Sequence, residues 1–239
     1  MSHALPSHRS NGNCQSTQSQ IADLTDSLRD SKVHLLLAAS GSVATIKLPL
    51  IVKALSVHPN LSIRVLLTPS ARRFLAGQAA EQPTVSSLHD FPSVDAVYFD
   101  EDEWKEPWKR GNSILHIELR RWADMLVIAP LSANTMAKIV GGMADGIITS
   151  VVRAWDARGE LDSDVAMNTA MWRHPITAKQ IKTLSDEWGV GKDGQGNGWF
   201  EVLSVQQKTL ACGDIGDGAM MEWTEIVKVI EDRLNLTES

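Results

Sequence analysis

Cysteine is scarce in this chain of 239 residues, which has only two. Cys14 lies in a polar stretch and Cys212 beside a glycine, so a structural disulfide between them is not expected, and such sparse usage suits a reducing compartment. Basic charge is also short. Lys and Arg number 23 against 29 Asp and Glu, for a net charge of −6. A general nucleic-acid binder presents a basic surface, so nucleic acid is not expected as a partner. No apolar run approaches the ~20 residues of a membrane span, and the N-terminus lacks the apolar segment of a signal peptide. A cytoplasmic protein that does not enter a membrane is the expectation. A complete G-x-G-x-x-G is missing too. The fragment "SGS" at 40–42 does not support a standard NAD fingerprint. No residue is assigned to a metal.

What is present is a hydrophobic content of 43%, enough for a substantial core, in a length that allows one large domain or two small ones. Residues 1–30 are rich in Ser, Gln, Asn and His with little periodic apolar content and read as a disordered polar tail. Residues 31–239 read as a single domain. "VHLLLAAS" (33–40), "SIRVLLTPS" (62–70), "VDAVYFD" (94–100) and "DMLVIAP" (124–130) are short apolar runs of the buried-strand type. Between them, "VATIKLPLIVKAL" (43–55) has helical periodicity interrupted by Pro49. "ARRFLAGQ" starts a helix, and "LHIELRRWA" (115–123) is another. "DEDEWKEPWKRGNS" (100–113) reads as a charged loop, and "NTMAKIVGGMADGIITSVVRAW" (134–155) as one or two helices. A final amphipathic helix is predicted over "TEIVKVIEDRL" (224–234).

Strands alternating with helices predict a doubly wound parallel sheet, a three-layer α/β/α fold of flavodoxin-like or Rossmann-like type. Ligands then bind at the carboxyl ends of the strands. Three strand ends carry small or hydroxyl residues just where a helix begins: "AASGSVA", "LTPSA" and "APLSANT". Singly, Ser42, Ser70, Ser132 and Asn134 are ordinary N-caps. Together they suit an anion site, because helix N-terminal N–H groups and hydroxyls converge there.

Five segments, in this order, carry a resemblance: "AASGSVATIK", "LHIELRRWADMLVIAPLSANTMAKIVGG", "VRAWD", "AMNTAMW" and "LACGDIGDGAM". From about Val33 to about Glu222 the chain resembles the flavin-containing cysteine decarboxylases of the phosphopantothenoylcysteine decarboxylase and halotolerance-protein family. The resemblance implies an FMN-binding subunit, usually in a homotrimer with active sites between subunits. It implies decarboxylation of 4′-phosphopantothenoylcysteine to 4′-phosphopantetheine, a step of coenzyme A synthesis. A plain amino-acyl carboxylate loses CO₂ slowly because the carbanion left behind has no electron sink. Oxidising the thiol to a thioaldehyde supplies that sink. FMN takes the electrons and later returns them, so no second carrier is needed.

The resemblance also implies roles. His116 stands in the place of the family's catalytic histidine, as a base or a charge partner for the substrate carboxylate. Cys212 becomes the proton donor to the enethiolate, with Gly213, Gly216 and Gly218 in a mobile flap over the site. Asn168 donates to the substrate carboxylate, and Met167 and Met171 pack beside substrate or flavin. Met167, Met171 and Trp172 also fit as plain core residues at helical spacing. For FMN the strand ends offer Gly41, Ser42 and Val43, then Thr68 and Ser70, then Ser132, Ala133, Asn134 and Thr135. Ala166 is placed at the ring.

One stretch departs from the family pattern. Where the family has an apolar strand and a proline, this chain has "GELDSDVAMN" (159–168). Unpaired carboxylates are expensive to bury, so the stretch reads as a loop or a displaced strand. "VGKDGQGNGWFE" (190–201) reads as a surface loop. The alternatives to an active decarboxylase are a non-catalytic or part-catalytic regulatory relative, such as a phosphatase-inhibiting or mixed-trimer subunit, and a peptidyl-cysteine decarboxylase.

Overall fold

The computed structural model describes residues 17–79, 82–155, 161–165, 174–190, 200–203, 206–209 and 215–236; for 161–165, 206–209 and 215–218 it describes the backbone. Six strands form one sheet: β1 (Val33–Ala39), β2 (Leu61–Leu67), β3 (Val94–Phe99), β4 (Met125–Leu131), β5 (Leu161–Val165) and β6 (Glu201–Leu203). Their order is β3-β2-β1-β4-β5-β6, and each neighbouring pair is parallel. Successive side chains of a strand point to opposite faces. Leu35, Leu37 and Ala39 of β1 therefore belong to one buried cluster, and Leu36 and Ala38 to a second. Burial on both faces explains why β1 reads as a continuous apolar run rather than an alternating one.

Helices cover both faces. A 3₁₀ turn (Val43–Lys47), α2 (Leu48–Leu55), α3 (Pro69–Phe74), α4 (Asp100–Glu103), α5 (Leu115–Trp122), α6 (Ala133–Val140) and α7 (Ile147–Ala154) connect the strands, followed by α8 (Pro175–Lys182) and α9 (Trp223–Arg233). Leu48, Ile51, Val52 and Leu55 of α2 join Ile226, Val227 and Ile230 of α9 on the first face. Leu119 and Trp122 of α5, Met136 and Ile139 of α6 and Ile148 and Val151 of α7 fill the second. Pro49 does not break its segment. It sits in the first turn of α2, where the missing N–H has no intrahelical partner to lose. The 134–155 stretch forms two helices. Gly142, at φ +70°, adopts a left-handed conformation just past the end of α6 that a side chain would disfavour.

The structure corrects two expectations. Residues 17–27, assigned to the disordered tail, form α1 (Thr17–Ser27), and Ile21 and Leu24 are buried in the second cluster. Ser27 at its end accepts from Arg64 Nη2 at 3.2 Å and from Trp122 Nε1 at 3.0 Å. Arg64 lies 4.8 Å over the Trp122 ring and donates from Nη1 to Tyr98 Oη at 2.6 Å. Burial pushes the Tyr98 phenol up, so it stays neutral. Two apolar residues and a hydroxyl are too weak a pattern to announce a helix. The buried guanidinium and the apolar face beneath it are what hold α1.

The second correction is the polar 159–165 stretch. Leu161–Val165 is neither a loop nor a displaced strand but β5, paired in parallel with β4 on one side and β6 on the other. Ladder hydrogen bonds belong to the backbone, so carboxylates along a segment do not prevent its pairing. Of the glycines expected in a flap over the site, Gly216 and Gly218 fall within β8 (Ile215–Ala219), which pairs antiparallel with β7 (Gln206–Thr209), and Gly213 lies outside the described residues.

Candidate active site

In the 3-2-1-4-5-6 order the topological switch lies between β1 and β4. The chain closes that point with one buried hydroxyl. Ser40, fully buried, donates from both N–H and Oγ to the Pro130 carbonyl, each at 2.9 Å. The Ser132 N–H donates to Ser40 Oγ at 2.6 Å. The ends of β1 and β4 are thus laced through a residue absent from the predicted site. β2 joins them, since the Thr68 N–H donates to the Ala39 carbonyl at 3.2 Å. Gly41 closes the approach. A Cβ there would overlap the Ser70 side chain, so only glycine lets these two ends lie side by side.

Each end starts a helix or a 3₁₀ turn capped by a hydroxyl. Ser42 Oγ accepts from the Ala44 N–H at 3.3 Å, Thr68 Oγ1 from the Ala71 N–H at 3.1 Å, and Ser132 Oγ from the Thr135 N–H at 3.4 Å. Of the residues expected as caps, Ser42 and Ser132 are caps. Ser70 and Asn134 are not; they lie exposed in the first turns of α3 and α6, and Thr68 caps α3 instead. Thr135 is buried, and Ala133 is half-buried beside it. Val43 is 47% exposed, an apolar surface at the end of β1. None of the three first turns contains an acidic residue. The partial positive charge of these termini therefore meets no carboxylate within its own first turn.

His116 lies in the first turn of α5, 22% exposed at its side chain. Its Nδ1 is 2.7 Å from Glu103 Oε1, and the Glu103 side chain is only 4% exposed. Glu103 ends α4, the helical turn that the charged 100–113 stretch forms directly after β3. Four acids in a row read as a solvated surface. The turn instead points three of them inward: besides Glu103, Asp102 Oδ2 accepts from the Phe99 N–H and Asp100 Oδ1 from the Ile147 N–H, both at 2.8 Å. Burial pushes both aspartate carboxyls up. Spacing alone offered no signal for Glu103.

Ala166, Met167, Asn168, Met171, Trp172 and Cys212 lie outside the described residues. So does most of the 190–201 stretch read as a surface loop. Their flanks are described. Val165, which pairs with Leu131 of β4, immediately precedes Ala166. Cys212 falls in sequence between β7 and β8. Among the described residues no three His, Cys, Asp or Glu side chains are grouped to hold a metal, and no helix is long and apolar enough to cross a membrane.

An all-parallel sheet in this order, with acid-free helix N-termini gathered at its switch point, defines a protein that binds a nucleotide-type cofactor. Comparison with known proteins gives the family. The family model described as "Flavoprotein" matches residues 24–235. Phosphopantothenoylcysteine decarboxylase of Mus musculus is 41% identical over 203 residues, covering 84% of this chain and 87% of that protein. A probable thymidylate synthase of Schizosaccharomyces pombe is 43% identical over 211 residues, covering 88% of this chain; this chain spans only 31% of that protein. Among solved structures, a cysteine-to-serine variant of PPC decarboxylase complexed with pantothenoylaminoethenethiol superposes with a TM-score of 0.69 at 39% identity, covering 85% of this chain and 99% of that one. The FMN binding protein AtHal3 superposes with a TM-score of 0.67 at 39% identity, covering 87% and 100%. The chain belongs to the flavoprotein family and, within it, to the phosphopantothenoylcysteine decarboxylases.

Proposed function

We propose that this chain is an FMN-dependent decarboxylase of 4′-phosphopantothenoylcysteine, producing 4′-phosphopantetheine for coenzyme A synthesis. The observation that carries the reading is the cradle at the ends of β1, β2 and β4. Its three hydroxyl-capped, acid-free termini fit a phosphate, the Gly41–Ser70 approach leaves no room for a Cβ, and the exposed Val43 suits the rim of an apolar ring. Gly41, Ser42, Val43, Thr68, Ser70, Ser132, Ala133, Asn134 and Thr135 would hold FMN there, with Ala166 at the ring. When bound, FMN supplies a two-electron acceptor for the substrate thiol and gives the electrons back after CO₂ has left.

The protein's own groups handle orientation and protons. His116 acts as base or as charge partner for the carboxylate. Asn168 donates to that carboxylate without adding charge, and Met171 packs against the substrate. The Cys212 thiol protonates the enethiolate that CO₂ loss leaves. The ligand of the solved serine variant is itself named as an ethenethiol, which supports an enethiolate intermediate of that kind at the site. The net change replaces a carboxylate by a proton, so the cycle is redox-neutral. A homotrimer with the site between subunits, working in the cytoplasm, completes the proposal. The regulatory alternative drew its support from the polar 159–165 stretch; the pairing of Leu161–Val165 as a strand of the sheet favours the decarboxylase reading over it.

The purified protein should be yellow with a flavin spectrum. It should release CO₂ from phosphopantothenoylcysteine, and His116→Asn should abolish release while flavin stays bound. A colourless, inert protein would overturn the reading. Light scattering tests the trimer.

A further inference from the structure

We infer that Glu103 is a positioning residue for His116 and that the N-terminal helix α1 holds Glu103 in place. The inference rests on the decarboxylase reading for its kinetic consequence, but its structural half stands without it. The nearly buried Glu103 carboxylate lies 2.7 Å from His116 Nδ1. A carboxylate only accepts, so Nδ1 must carry the hydrogen. In the neutral ring this leaves the lone pair on Nε2, the nitrogen turned away from Glu103. A base needs that tautomer fixed before the substrate arrives, as carboxylate–imidazole pairs do in other enzymes.

The support of Glu103 is more elaborate than a surface acid requires. A four-residue turn cannot sustain itself, because nucleating a helix fixes several dihedrals for very few hydrogen bonds. Here α4 is tied from three directions. Asp102 Oδ2 accepts from Phe99 at the end of β3. Asp100 Oδ1 accepts from Ile147 at the start of α7, and the absence of a Cβ at Gly146 lets that carboxylate come close. Thr17, the first residue of α1, donates from Oγ1 to the Asp102 carbonyl at 2.8 Å in a buried contact. That carbonyl belongs to the peptide linking Asp102 to Glu103. Burial of Ile21 and Leu24 anchors α1 against the second core cluster. Strand, helix and N-terminal helix thus converge on the backbone from which the carboxylate reaches the imidazole.

The test uses the whole chain with FMN bound. Two-bond ¹H–¹⁵N spectra of ¹⁵N-histidine-labelled protein, with His116→Asn to identify the ring, read the tautomer at a pH where the imidazole is neutral. The wild type should show Nδ1–H. Glu103→Gln and Glu103→Ala should give the Nε2–H form or a mixture. Glu103→Gln should also lower kcat by at least about a hundredfold with KM within about threefold, since orienting carboxylates act mainly on turnover. Glu103→Asp should restore a large part of kcat. Thr17→Val should shift the same two readings in the same direction by less. An unchanged tautomer in Glu103→Gln and Glu103→Ala, or an unchanged kcat in Glu103→Gln, overturns the inference. Wild-type readings in Thr17→Val remove α1 from it. The tautomer reading needs no substrate, so a wild type that releases no CO₂ would defeat the decarboxylase reading and leave this one standing.

Discussion

Replacing Ser40 by alanine tests whether the strand ends are locked by one hydroxyl. Ser40 Oγ makes two hydrogen bonds, donating to the Pro130 carbonyl and accepting from the Ser132 N–H. The Pro130 carbonyl keeps the Ser40 N–H as donor at 2.9 Å, so its loss is small. Among the described residues the Ser132 N–H has no such second partner and is left in a part-buried position. An orphaned donor costs about 1–3 kcal/mol when fully shut from water. Partial access puts the expectation at the lower end, roughly 1–2 kcal/mol. In a chain of this size that lowers Tm by roughly 2–8 °C. The same change frees Ser132, the cap of α6, so FMN retention should fall with stability. Urea unfolding of the apoprotein and flavin retention on a desalting column are the assays. Ser42→Ala is the control; it removes one partly exposed cap and should cost only about 0.5–1 kcal/mol. If Ser40→Ala matches the wild type in both measurements, the lacing is not what holds the switch point together.

Gly41→Ala should impair FMN binding more than it impairs folding, because its Cβ would force the ends of β1 and β2 apart at Ser70; wild-type flavin content would refute that. Leu24→Ala should cost about 2–4 kcal/mol by equilibrium unfolding, since Leu24 is 1% exposed; a cost below 1 kcal/mol would return α1 to the tail. Asp100→Asn keeps an acceptor for the Ile147 N–H and removes a half-buried charge. The folded carboxyl is raised above its ordinary value by burial. Its contribution to stability is therefore present below the unfolded carboxylate range and lost as pH rises through the folded value. Asp100→Asn should flatten that loss and leave stability at neutral pH equal or higher. A variant clearly less stable than wild type at neutral pH, by urea melts across pH, would reverse the sign.

Much of this molecule was readable one segment at a time. The runs at β1, β2 and β4 are apolar on both faces, and that pattern survives in sequence because both faces are covered by helices. The small and hydroxyl residues after them read correctly as helix starts, although Thr68 rather than Ser70 took the cap. Other features depend on partners distant in the chain. α1 carries few apolar residues and is held by Arg64 and Trp122. β5 has the composition of a loop and takes its place through backbone pairing between β4 and β6. Glu103 looks like one acid among several until the turn after β3 sets it against an imidazole on the next helix. Local pattern records burial and capping, which each residue feels from its own segment. Which charge meets which ring depends on how separate segments are packed, and only the folded chain decides that.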